Sequence, residues 1–167
     1  MIRIAITGPE SSGKTTLAKL LNDHLNGELI EEYAREYLSE LNEDYTIEDL
    51  KSITEKHHEN ILNSQNSTQI VDTDFVVMKV WYDDKFGNTP ADVIEKIGKD
   101  LFDLHILCAP DIPWEKDPLR EDENNRDALF LKYIEELERF KKNYIIVEGS
   151  VEKRLKKSLE TIEAISK

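Results

Sequence analysis

Two hydrophobic periods alternate along this chain. Ile2-Arg3-Ile4-Ala5-Ile6 is a short β-rich run that ends at Thr7-Gly8 and predicts a first strand. From Lys14 to Asn26 the period lengthens, with Leu17, Leu20, Leu21 and Leu25 on one side of a helix. Asn26-Gly27 ends that helix, the glycine being suited to a left-handed cap. Glu28–Glu31, Gln69–Asp72, Asp103–Cys108 and Tyr144–Val147 read as further strands. Helices are predicted over Tyr33–Leu41, Ile47–Leu62, Phe75–Phe86, Ala91–Leu101, Asp127–Lys142 and Val151–Ile165. Ala109–Arg126 has no apolar period, is dense in charge and holds three of the five prolines. It reads as a mobile loop.

Strands thus alternate with helices throughout, and parallel strands need crossovers of about a dozen residues, which helices fill here. The pattern predicts a three-layer α/β sandwich on a five-stranded parallel sheet, with ligands beyond the carboxyl ends of the strands. At 167 residues the chain is of single-domain size, and no linker or repeat divides it.

Charge and composition narrow the function. Asp and Glu total 35 against 22 Lys and Arg, a formal charge of −13 that disfavours phosphate backbones, so no nucleic-acid partner is expected. No apolar run exceeds four residues, far short of the about 20 that a membrane span needs. The N-terminus enters a glycine turn with no cleavable apolar segment, and one cysteine allows neither an internal disulfide nor a cysteine-rich zinc site. A cytoplasmic protein is expected.

The chemistry is concentrated in Gly8-Pro9-Glu10-Ser11-Ser12-Gly13-Lys14-Thr15, which matches G-x-x-x-x-G-K-[ST] between a strand and an amphipathic helix. Glycines let successive N–H groups converge into an oxyanion nest, and the helix N-terminus adds its dipole. Lys14 suits the β- and γ-phosphates of ATP, Thr15 suits Mg²⁺, and Thr16 suits the α-phosphate. No Asn/Thr-Lys-x-Asp guanine reader occurs, which argues against a GTPase. The chain is too short for the full helical lid domain of the large motor ATPases.

Carboxylates follow at the strand ends. Asp72 closes an apolar strand and is the candidate for metal; Asp74, two residues on, is a candidate for substrate or catalysis. In Glu31-Glu32-Tyr33-Ala34-Arg35, alternation lets only one glutamate face the pocket. Glu32, nearer the strand end, is the first choice for general base and Asp74 the second. Arg35 and Tyr33 are candidates for the substrate, and Trp81 could stack on an aromatic base or simply pack in the core. Arg120 and Arg126, two of only six arginines, fall in the loop at 109–126 and are candidates for phosphate contacts from a closing lid. Glu148-Gly149-Ser150, after the last strand, is placed to hold adenine by backbone groups.

Gly-x-Glu-Ser-Ser-Gly-Lys-Thr-Thr-Leu, Glu32-Tyr-x-Arg-Glu-Tyr37, Asp72-Thr-Asp-Phe75 and Pro113-Trp-x-x-Asp-x-Leu-Arg120 together resemble the ribosylnicotinamide kinase domain of the bacterial NAD-biosynthesis regulators of the NadR family, within the AAA-type P-loop proteins. The blocks span residues 1 to about 150, in the family's order. The resemblance implies MgATP-dependent phosphorylation of a riboside 5′-hydroxyl, giving nicotinamide mononucleotide. It is similar in design to deoxynucleoside kinases, where an acid after the second strand is the base, which favours Glu32 by analogy. The regulators also carry an adenylyltransferase domain and sometimes a helix-turn-helix. Neither is visible here, so the expected activity stops at the mononucleotide. A kinase for another nucleoside and an ATP-sensing module without turnover are the alternatives.

Overall fold

The computed structural model describes residues 1–41, 44–99 and 101–166. Five parallel strands, β1 (Ile2–Thr7), β2 (Glu28–Ile30), β3 (Thr68–Asp72), β4 (Leu104–Cys108) and β5 (Tyr144–Val147), lie in the order β2-β3-β1-β4-β5. The central strand is paired in register on both sides, Ile6 opposite Asp72 and opposite Ile106. Seven helices are described: α1 (Lys14–Leu25), α2 (Tyr33–Glu40), α3 (Ile47–Asn63), α4 (Phe75–Phe86), α5 (Ala91–Gly98), α6 (Arg126–Arg139) and α7 (Val151–Ile165).

Strand alternation divides the core in two. Ala5, Val71 and Leu107 pack against helices on one face, while Ile4, Ile6, Ile70 and Ile106 pack against α1 and α7 on the other. Crossover handedness accounts for the division. The step from β1 to β2 runs one way along the sheet and those from β2 to β5 run the other, so right-handed connections put α1 on one face and α2 to α6 on the opposite face. All five strand ends therefore open along one edge. No helix among the described residues is long and apolar enough to cross a membrane.

Element boundaries shift slightly from the sequence reading. Asn26, not Gly27, takes the left-handed position after α1, at φ 49°. Gly27 serves close approach instead, because a Cβ there would sit 3.0 Å from the Thr68 carbonyl oxygen. β2 ends at Ile30, one residue short. α5 ends at Gly98, and part of its expected extension, Asp100, lies outside the described residues. α6 starts at Arg126, so the loop ends one residue early, and stops at Arg139, where a left-handed Lys141 turns the chain into β5.

Candidate active site

The loop after β1 has the backbone its motif demands. Gly8 sits at φ 140° with its missing Cβ 2.7 Å from the Cys108 carbonyl oxygen, and Gly13 caps α1 at φ 83°; no side chain fits the first and few tolerate the second. Ser12 Oγ donates to the Pro9 carbonyl at 2.8 Å. Lys14 Nζ donates to the Gly8 and Pro9 carbonyls, each at 2.9 Å, which holds the ammonium across the mouth of the loop. Thr15 Oγ1 donates to Asp72 Oδ2 at 2.6 Å.

Asp72 is 2% exposed, and its other carboxylate oxygen is buried with no hydrogen-bond partner. A carboxylate with one orphaned oxygen beside a threonine hydroxyl is a donor set that would suit a hard divalent cation such as Mg²⁺. The fold thus brings Thr15 and Asp72 into direct contact.

The neighbouring residue divides the two aspartates. Thr73 is β-branched yet left-handed at φ 79°, a conformation costing about 1–3 kcal/mol. It is held by its N–H to the Ile6 carbonyl at 3.1 Å and by His57 Nε2, which donates to its carbonyl at 2.7 Å. Burial pushes the His57 pKa down, so the neutral ring is the donor. This turn aims Asp72 at Thr15 and swings Asp74 into the core.

Asp74 corrects the sequence reading. It is wholly buried and does not line the cavity. It caps α4 by accepting the Val77 N–H at 2.9 Å, and also accepts from His105 Nδ1 at 2.6 Å and from the Thr7 hydroxyl. Burial raises its pKa, but these donors outweigh that and hold it below the ordinary carboxylate value. Asp74→Ala is therefore expected to cost about 1–3 kcal/mol for each buried donor it leaves without an acceptor. A urea midpoint should fall accordingly, while the fraction that remains folded keeps its turnover. A depressed pKa stabilises the fold above the unfolded value and ceases to as pH falls through the folded one, so acid should narrow the gap between wild type and variant.

At the end of β2 the glutamates separate as expected, though for a different reason. Both lie past the strand, and it is the start of α2 that sorts them. Glu31 is exposed and 3.9 Å from Lys19, whereas Glu32 is half-buried at the cavity wall. Burial raises the Glu32 pKa and nearby Asp72 adds to this, against the pull of Lys14 and Arg35.

The same cavity, about 210 Å³, is lined by the phosphate loop and Glu32 and also by Tyr45, Trp81, Tyr133, Val77 and Leu129. Trp81 Nε1 donates to the Tyr45 hydroxyl at 2.9 Å, which fixes the indole. Tyr45 and Tyr133 were missed in the sequence, since neither sits in a motif. Tyr33 is not at the cavity: it packs against the core and meets Tyr37 at 6.1 Å. Arg35 reaches the cavity and pairs with Asp117 of the loop at 2.8 Å.

Both loop arginines lie over the Trp114 ring, Arg120 at 5.9 Å and Arg126 at 5.6 Å from its centroid. Arg120 lines the cavity, donating to the Glu115 carbonyl at 2.6 Å and to Ser11 Oγ at 3.4 Å. Arg126 instead ties the Ser11 and Ile112 carbonyls together, each at 3.0 Å, and does not line the cavity. Arg154, unmarked in the sequence, is 3% exposed beneath the loop and donates to the carbonyls of Ser12, Ala109 and Gly149 and to Asp111. Gly149 N–H is bonded to Asp111 at 2.6 Å, and this segment is not part of the cavity wall.

A parallel sheet whose central strand runs into a glycine-framed anion nest, with acids at the adjoining strand ends, defines the P-loop NTPase fold. The chain belongs to the AAA-domain family, whose model matches residues 3–154. It is 32% identical over 145 residues to the trifunctional NAD biosynthesis/regulator protein NadR of Escherichia coli K12, covering 80% of this chain and 35% of that protein. Two crystal structures of NadR proteins superpose on it, one in complex with NR (TM-score 0.78) and one with NAD and AMP-PNP (TM-score 0.77). Each is 22% identical and covers 98% of this chain, and 50% and 49% of the solved chains respectively. The chain thus spans about a third of the curated relative and half of the solved ones.

Proposed function

We propose that this chain transfers the γ-phosphoryl group of ATP to the 5′-hydroxyl of nicotinamide riboside, giving nicotinamide mononucleotide and ADP. The observation that carries the reading is one cavity lined by Lys14 and the phosphate loop, by Glu32 and by the aromatic side chains Tyr45, Trp81 and Tyr133. Its relatives support the acceptor, one NadR structure holding NR and another an ATP analogue. The loop amides and Lys14 hold the triphosphate. Trp81, Tyr45 and Tyr133 hold the flat base, and Glu32 orients the ribose hydroxyl and accepts its proton as the oxygen–phosphorus bond forms and the bond to ADP breaks. Arg120, on a lid at residues 109–126, faces the charge that gathers on the transferred group. Mg²⁺, when held by Thr15 and Asp72, neutralises charge on the phosphate oxygens.

An ADP-release assay across a nucleoside panel that includes nicotinamide riboside tests this. Turnover is expected with the riboside, with phosphate on the 5′-oxygen, and EDTA is expected to abolish it. Asp72→Asn should raise the Mg²⁺ requirement or remove activity. Product from a different nucleoside alone would keep the kinase and discard the acceptor. ATP binding with no product from any acceptor would leave a sensing module.

A further inference from the structure

In a loop of the form G-x-x-x-x-G-K-T the backbone amides bind phosphate, and the side chains at the x positions are free for other work. Here two of them reach more than a hundred residues along the chain. Glu10 Oε2 accepts the consecutive backbone N–H groups of Glu121 at 2.9 Å and Asp122 at 3.1 Å. Ser11 Oγ accepts the Glu115 N–H at 2.9 Å. Arg120 lies between these anchors, its guanidinium on the Glu115 carbonyl and on Ser11 Oγ. The lid segment is therefore pinned on both sides of its arginine by adjacent residues of the phosphate loop.

We propose that Glu10 is a positioning residue that sets Arg120 over the phosphate loop by clasping the backbone just after it. The inference rests on the kinase reading for its kinetic consequence. The chemistry of the clasp favours a carboxylate, since two N–H groups converging on one oxygen suit a charged acceptor. Burial raises the Glu10 pKa, and the two N–H groups and Lys14 counter part of that rise. The ion pairs nearest Arg120 are weaker in kind. Arg35–Asp117 at 2.8 Å and Lys85–Glu121 at 2.9 Å join partly exposed side chains, where ion pairs contribute little, and neither grips the backbone. Because Glu10 and Ser11 also belong to the phosphate nest, a shift of that loop moves the lid arginine with it.

The test is a double-mutant cycle of Glu10→Ala and Arg120→Ala, with Glu10→Gln as the conservative variant and MgATP plus the accepted nucleoside as substrates. Glu10→Ala should lower kcat by about 10- to 100-fold, the scale of a misplaced catalytic group, with a smaller change in KM for ATP. Glu10→Gln, which keeps an acceptor oxygen, should recover most of the rate. The double variant should be no slower than Arg120→Ala alone, because both changes remove the same contact. Losses that multiply, or a Gln variant as slow as the Ala variant, would overturn the proposal. Limited proteolysis of the free protein supplies an arm independent of turnover. Cleavage between residues 115 and 122 should be faster in Glu10→Ala than in wild type at matched thermal stability. Equal rates would overturn the clasp even with kinase activity intact, and faster cleavage in a protein inactive toward every acceptor would retain the clasp and discard the kinase reading.

Discussion

Lys14→Ala is expected to slow phosphoryl transfer by about 10²–10³, the usual loss when one preorganised donor to developing charge is removed, and to leave the fold in place. The ammonium is held by two carbonyls of its own loop, so it is already aimed where the transferred phosphate would sit. The loop does not depend on it for shape. Gly8 and Gly13 set the turn, Ser12 bonds back to Pro9, and Arg154 grips the Ser12 carbonyl from below at 2.6 Å. A urea midpoint near that of wild type, beside a collapsed single-turnover rate, is the expected result. A second consequence follows from Lys14 lowering the pKa of Glu32. With the cation gone, Glu32 should titrate higher, so the residual rate should rise with pH over a range shifted upward. An unchanged rate would remove the phosphate-loop assignment.

The parts of this site that were legible in the sequence are those fixed by local rules. The glycine spacing dictates a backbone shape, and β3 and α4 are defined by strong runs, so Asp72 could be placed at a strand end from residue order alone. Alternation was expected to turn one glutamate inward, with Glu32 preferred as nearer the strand end, but β2 stops at Ile30 and Glu32 reaches the cavity wall because α2 begins where it does. What the sequence hid is whatever long-range contact decides. Asp74 read as a second carboxylate of the site, and only the left-handed Thr73 and the donors from β1 and β4 make it a structural cap. Arg154 sits in no motif. It is buried because three loops turn their carbonyls toward it. Lys79, in no motif either, is 4% exposed and paired with Asp83 and with Glu136 at 2.8 Å. Neutralising partners that lie 57 residues away leave no trace in periodicity. Tyr45 and Arg126 were likewise placed by the chain's path, the first beside Trp81 at the cavity wall and the second on the Ser11 and Ile112 carbonyls.

Glu32→Gln separates binding from proton transfer. The amide keeps the shape and a hydrogen-bond acceptor for the ribose hydroxyl, so substrate affinity should change little. The variant cannot take the proton, and turnover should fall by about 10²–10⁴, the span typical of a general base. A loose transfer, in which the hydroxyl proton leaves late, would put the loss near the lower end. The wild-type pH profile carries an independent signature. A base acts only when deprotonated, so kcat/KM should rise as pH increases through the Glu32 pKa, and burial raises that pKa above the usual carboxylate value. The rising limb should therefore lie higher than a solvated glutamate would give, and Glu32→Gln should abolish it. Asp74→Asn supplies the contrast, because Asp74 is shut off from the cavity and already ionised through its own donors. That variant should lose stability and keep the limb. A full-rate Glu32→Gln beside a folded but inactive Asp74→Asn would move the base to the end of β3, and would require the core around His105 to open during the reaction.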